Sequence, residues 1–156
     1  MTMICEFSTL QNTRSITCNS CISVGAVFPS ATLCVFEVRI SFYSFYVDLP
    51  KLVELETGPD VFRNTQTCLI HNLPELVRVT IGLSSFTKSN SQPQQVSGKM
   101  EIVNCKSLQT IEVRDSSFIS FGELKLENLP SLNSLVFKRH SFMNSLKLQI
   151  AGMNGK

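Results

Sequence analysis

Residues 125–142 read KLENLPSLNSLVFKRHSF, and this pattern recurs along the chain. Residues 101–118, 24 positions earlier, read EIVNCKSLQTIEVRDSSF. A further 32 positions back, residues 69–86 read LIHNLPELVRVTIGLSSF, and 24 before that, residues 45–62 read FYVDLPKLVELETGPDVF. Tandem self-similarity at a near-constant period outranks any single motif as a guide to fold. The marker positions are Leu49, Leu73, Cys105 and Leu129, with Met153 one period on. The one long spacing falls across residues 87–98, TKSNSQPQQVSG, a polar stretch without apolar periodicity. It is expected to be a surface loop inserted between repeats.

Within one unit the apolar residues are Leu124, Leu126, Leu129, Leu132, Leu135, Phe137 and Phe142. The preceding units repeat this as Met100 to Phe118 and Cys68 to Phe86. The earliest gives Tyr46, Leu49, Leu52, Leu55 and Phe62, with Thr57 in the place of Phe137. Leu124/Leu126 and Leu135/Phe137 alternate with period two, the mark of strands with one buried face. No stretch keeps a helical stripe, and Asn-Leu-Pro interrupts the candidates. Each unit is therefore expected to be two short strands and two bends. Stacking units turns the apolar columns into a shared interior, and each large side chain so buried contributes roughly 1.5–3 kcal/mol. Ser-Phe at 85–86, 117–118 and 141–142 predicts a phenylalanine column at one bend. Asn72, Asn104 and Asn128 recur before the marker, where their amides would satisfy backbone groups at the other bend.

The run Leu108-x-x-Ile111-x-Val113-x-x-Ser116-x-Phe118 resembles the leucine-rich repeat pattern. Leu132, Leu135, Phe137, His140 and Phe142 fit it too, as do Leu76, Val79, Ile81, Ser84 and Phe86. The usual Asn of that pattern is replaced by Asp60, Ser84, Ser116 and His140. Asn104-Cys105-x-x-Leu108 and Ile81-Gly82-x-x-Ser85-Phe86 are similar to the BspA-like subtype. The resemblance covers residues 44–156. It implies a right-handed, strand-dominated leucine-rich-repeat solenoid of about four clear coils. It also implies a non-enzymatic scaffold that presents a strand face to protein partners, often in adhesion at a cell surface.

Residues 1–43 do not match the repeat cleanly and are expected to form an irregular segment or a degenerate first coil. Leu33, Phe36, Val38 and Tyr43 reproduce the spacing of Leu132, Leu135, Phe137 and Phe142. Residues 15–36 carry no charge, yet Pro29, Asn19 and scattered Ser and Thr argue against a signal peptide or membrane segment. At 156 residues and net charge +2, a single domain without nucleic-acid or membrane insertion is expected. Cys68 and Cys105 fall on interior columns and read as small core fillers. Cys5, Cys18, Cys21 and Cys34 have the spacing of a conceivable thiolate zinc site, but only one short knuckle is present and free thiols are the simpler reading. His71 is expected to point outward and His140 to make a bend hydrogen bond.

No cofactor or catalytic constellation is expected, because no nucleophile, base and orienting group share a spacing. Function is sought on the outward row of the second strand: Glu54 and Glu56, Arg78 and Thr80, Thr110 and Glu112, Ser134 and Val136. The next exposed column is Gly58, Gly82, Arg114 and Lys138, followed by Arg139. The face grades from acidic to basic, which would orient a partner, although an ordinary solvated face has the same composition. The expected binding residues are Glu54, Glu56, Arg78, Glu112, Arg114, Lys138 and Arg139. The 87–98 loop is a second candidate contact. The last repeat begins at Leu148 and stops after Lys156, so a fragment, a vestigial array or end-to-end self-association through residues 148–153 is also expected. Localisation stays open: the resemblance implies the cell surface, whereas free thiols and no clear signal peptide point to the cytosol.

Overall fold

The computed structural model describes residues 15–18, 33–36, 44–47, 51–87, 98–144 and 147–152. Strands account for its regular structure, and no helix occurs among the described residues. They are β1 (Ser15–Cys18), β2 (Leu33–Phe36), β3 (Ser44–Val47), β4 (Glu54–Thr57), β5 (Thr67–His71) and β6 (Arg78–Ile81). Then follow β7 (Gly98–Val103), β8 (Thr110–Val113), β9 (Phe121–Glu127), β10 (Ser134–Phe137) and β11 (Lys147–Ala151). One sheet has the order β1-β2-β4-β6-β8-β10 and the other β11-β9-β7-β5-β3. Every pairing is parallel. From β3 onward the chain visits the two sheets alternately, an arrangement compatible with a solenoid-like repeat.

The alternation expected from sequence is present. In β7 the residues alternate from buried to half-exposed, with Met100 and Ile102 inward. Cys68, Met100 and Leu124 share one row across the second sheet, and Ile70, Ile102, Leu126 and Ile150 the next. Except for Ile150, which is exposed, these residues form one apolar core with Leu55, Val79, Ile81, Ile111 and Val113 from the first sheet.

The bends after β4, β6, β8 and β10 are built from residues at positive φ. Asp60, Ser84, Ser116 and His140 lie at φ 59°, 53°, 59° and 59°, and Phe62, Phe86, Phe118 and Phe142 at 54°, 56°, 56° and 50°. Left-handed backbone costs a side chain with a Cβ roughly 1–2 kcal/mol. Burial offsets it: the rings of Phe62, Phe86, Phe118 and Phe142 stack in a column with centroids 4.8, 4.6 and 4.7 Å apart. Phe121 packs edge-on against Phe118 at 4.8 Å. The serines between these positions lock neighbouring units. The hydroxyls of Ser85, Ser117 and Ser141 donate to the carbonyls of Gly58, Gly82 and Arg114.

Several details differ from the sequence reading. The amides of the asparagine column bond one another, Asn104 Nδ2 to Asn72 Oδ1 at 3.0 Å and Asn128 Nδ2 to Asn104 Oδ1 at 2.8 Å, rather than capping backbone. The position selects Asn because φ is 56°, 59° and 54° there, a region Asn tolerates. The same conformational demand governs His140, whose imidazole is exposed; the bend bond runs from Ser116 N to Arg139 O. Gly82 is buried, not exposed: a Cβ there would lie 2.2 Å from the Gly58 carbonyl oxygen. Its N–H donates to Thr57 Oγ1 at 2.8 Å, which explains a buried threonine on an apolar column.

Two registers are corrected as well. Val47, not Tyr46, pairs with Ile70, because the repeat is one residue shorter here and a one-residue slip exchanges faces. Cys34 and Phe36 take the rows of Leu55 and Thr57, so the spacing assigned to Phe36 and Val38 is shifted by two residues. A two-residue slide preserves alternation, so the apolar pattern could not distinguish these registers. The body of the 87–98 insertion lies outside the described residues.

Phe118, sandwiched within the ring column, should be the costliest truncation. Phe118→Ala is expected to lower stability by about 3–5 kcal/mol, and Phe142→Ala, partly covered, by clearly less. Urea unfolding of both variants checks this; equal losses would contradict a column anchored at its centre.

Candidate functional site

The outward faces of the two sheets differ in how their charges are used. On the second sheet, the charged residues of β7, β9 and β11 are paired among themselves. Lys99 lies 3.2 Å from Glu101, Lys147 bonds Glu123 at 2.7 Å, and Lys125 bonds Glu127. His71 Nε2 also lies 3.2 Å from Glu101 Oε2, an ion pair only when the imidazole is protonated. The hydrogen bond from Lys147 holds the Glu123 carboxyl below its ordinary range, and the bond to Glu127 raises Lys125. A depressed carboxyl stabilises the fold above the ordinary glutamate range, and that contribution is lost as pH falls through the depressed value. Both side chains are half-exposed and screened by solvent, so the effect is small. This charge lacework is legible in the alternation of residues 98–103 and 121–127, where Lys and Glu fall on outward positions.

The first sheet is different. Glu54 and Glu56 on β4 and Arg78 on β6 are exposed and make no ion pair among the described residues. Glu112 and Arg114 approach only to 3.8 Å. The registers Glu54↔Arg78↔Thr110 and Glu56↔Thr80↔Glu112 lay these residues in two rows across three strands. They line a recess of about 200 Å³ that includes Thr80, itself 9 % exposed. The sequence placed Thr80 on the outward row; the structure keeps it on that face but buries it between its neighbours. A second recess of about 680 Å³ adjoins the first, sharing Glu56 and Arg114 and walled by Pro59 and Leu83.

Of the seven expected binding residues, Glu54, Glu56, Arg78, Glu112 and Arg114 therefore come together. Lys138 and Arg139 do not line either recess. They are exposed one unit further on, where Arg139 N donates to Asp115 Oδ1 at 2.8 Å. Leu83, which sequence reasoning passed over, is 48 % exposed beside the site. Its position is outward in the other units too, where Pro59 and Arg139 are exposed and Asp115 is half-exposed.

Among the described residues no three His, Cys, Asp or Glu side chains gather as metal ligands. Of the thiolate candidates, Cys5 and Cys21 lie outside the described residues, and Cys18 and Cys34 are described only as strand positions in β1 and β2. No helix of the described residues is long and apolar enough to cross a membrane. Compared with known proteins, the chain matches no family model, no curated protein and no solved structure.

Cys68 and Cys105 are buried free thiols on the core rows, as expected. Burial pushes both thiols up, Cys68 far above the ordinary range and Cys105 despite a backbone hydrogen bond that opposes the shift. The thiolate is the reactive form. Both should resist alkylation at about pH 8 in the folded protein and react in urea. Peptide mass mapping after timed iodoacetamide treatment reads this directly, and rapid native labelling of Cys68 would contradict its burial.

Proposed function

We propose that this chain is a non-catalytic, protein-binding scaffold of the leucine-rich-repeat type, a right-handed solenoid that engages its partner through the outward face of the first sheet. The observation that carries the reading is the contrast between the faces. Charges on the second sheet neutralise one another, whereas Glu54, Glu56 and Arg78 make no ion pair among the described residues of the first. Unpaired charge on rigid strands steers and orients an incoming protein and loses little entropy when it binds. Self-paired charge offers a partner much less.

The test is a matched pair of charge-reversal sets. One changes Glu54, Glu56, Arg78, Glu112 and Arg114; the other changes Lys99, Glu101, Glu123 and Lys125. Both are used as bait for quantitative capture of partner proteins, with folding checked by circular dichroism. The first set should lose the partners that the unaltered chain retains, and the second should keep them. Unchanged capture by the first set would sink the proposal.

A second reading rests on a separate observation. Exposed large apolar side chains concentrate in the last unit: Leu135, Val136, Phe137, Met143, Leu148 and Ile150. β10 and β11 are also the edge strands of their sheets. Parallel strand edges backed by apolar rows are templates for further pairing, so end-to-end self-association through Leu148 and its neighbours is the expected behaviour. Met153, the outer limit of that segment in the sequence reading, lies outside the described residues. Sedimentation velocity across a concentration series should show species larger than the monomer, diminished in Leu148→Lys/Ile150→Lys. A monomer at every concentration would rule the reading out.

A further inference from the structure

We infer that the recess over Thr80 is a socket for an arginine side chain of an extended partner segment, with an apolar residue two positions along seated against Pro59 and Leu83. This rests on the proposed role of the first-sheet face and names the chemistry that the face selects.

Three observations converge on the socket. The first is Thr80. It sits in the middle strand of the row Glu56↔Thr80↔Glu112 and is 9 % exposed, and its hydroxyl makes no hydrogen bond among the described residues. The hydroxyl oxygen is not among the buried polar atoms without a partner, so it stays open to the recess that Thr80 lines. The second is charge. Three carboxylates, Glu54, Glu56 and Glu112, line the recess against two guanidinium groups, Arg78 and Arg114. Glu56 makes no ion pair among the described residues, and the 3.8 Å approach of Arg114 leaves Glu112 able to accept further hydrogen bonds. The third is size. At about 200 Å³ the recess admits one side-chain head group rather than a whole ligand.

Geometry favours guanidinium over ammonium. Neighbouring strands lie about 4.8 Å apart, so the Cα atoms of Glu56 and Glu112 flank Thr80 across roughly 10 Å. A planar guanidinium between the two carboxylates donates to both at once, and a remaining N–H reaches the Thr80 hydroxyl oxygen below. An ammonium is a compact point charge and does not bridge that span with fixed directionality.

The neighbouring recess sets the rest of the motif. In an extended segment, residues two apart project to the same side about 6.8 Å from one another. Along the strands of this sheet that step leads from the Glu56 row to the row of Gly58, Gly82 and Arg114, where the recess of about 680 Å³ opens. Pro59 and Leu83 give it an apolar wall. Its floor cannot be filled by a side chain at Gly82, since a Cβ there would strike the Gly58 backbone. The preferred segment is therefore Arg-x-Leu, or a similar apolar residue at the third position.

The probe is the peptide acetyl-Gly-Arg-Ser-Leu-Gly-amide, titrated into the isotopically labelled full chain and followed by amide NMR. Counterparts carry Lys, or the neutral isostere citrulline, in place of Arg. The Arg peptide should perturb the amides of Glu56, Thr80 and Glu112 and bind about fivefold or more tightly than the Lys peptide, with citrulline weakest. Thr80→Val, of nearly the same shape, should weaken the Arg peptide about threefold to tenfold and bring it towards the Lys peptide, while Glu101→Gln on the other sheet changes nothing. Equal binding of the Arg and Lys peptides, full retention in Thr80→Val, or no perturbation at millimolar peptide each overturns the socket. The partner-face reading fails by a different result, unchanged capture by the charge-reversed first sheet, so the two failures are distinguishable.

Discussion

The phenylalanine column at the left-handed bends is the constraint on which the rest of the structure depends. Each bend after β4, β6, β8 and β10 holds a phenylalanine and at least one other non-glycine residue at positive φ. Alone, such a bend is unfavourable by about 2–4 kcal/mol. Its compensation lies largely in neighbouring units. The rings stack on those above and below, each such pair contributing about 0.5–1.5 kcal/mol beyond burial. The bend amides bond across units as well, Phe86 N to Val61 O and Phe118 N to Ser85 O. A bend is therefore stable because it is stacked, and the units are energetically interdependent.

The same interdependence shapes the other columns. Serine hydroxyls satisfy the carbonyls of the unit before, asparagine amides bond along the second bend, and Thr57 substitutes a hydroxyl for a backbone acceptor where the chain closes on Gly82. Where the apolar columns end, their side chains are exposed. Ile111 and Val113 are buried, while their partners one unit on, Leu135 and Phe137, are 37 % and 39 % exposed. Both rows are apolar; among the described residues β8 has a strand on either side, whereas β10 pairs on one side only.

A rigid double sheet also gives its two faces separate roles. On the second sheet, charges placed two apart on one strand or side by side on adjacent strands meet as pairs. On the first, the strands are shorter and threonine or glycine often stands where a counter-ion would be, as at Thr80 and Gly82. Among the described residues Glu54, Glu56 and Arg78 are thereby left without ion pairs around the open hydroxyl of Thr80. That is an environment suited to a guanidinium supplied from outside.

The sequence alone was sufficient for the strand alternation, the 24-residue stacking, the buried cysteine rows and the phenylalanine column, because each follows from local periodicity. It also placed Glu54, Glu56, Arg78, Glu112 and Arg114 on one face, since alternation decides the side to which a side chain points. Only the tertiary structure decided what depends on register and on how closely chains approach. It moved the β3 row from Tyr46 to Val47, since one residue of slip reverses the faces. It showed the asparagine amides bonded to one another, because their partners lie 24 or 32 residues away. It buried Gly82, exposed Leu83 and enclosed Thr80 between two carboxylates. Periodicity specifies a direction for each side chain, but the distance to the neighbour it meets is set by the packing of one unit on the next.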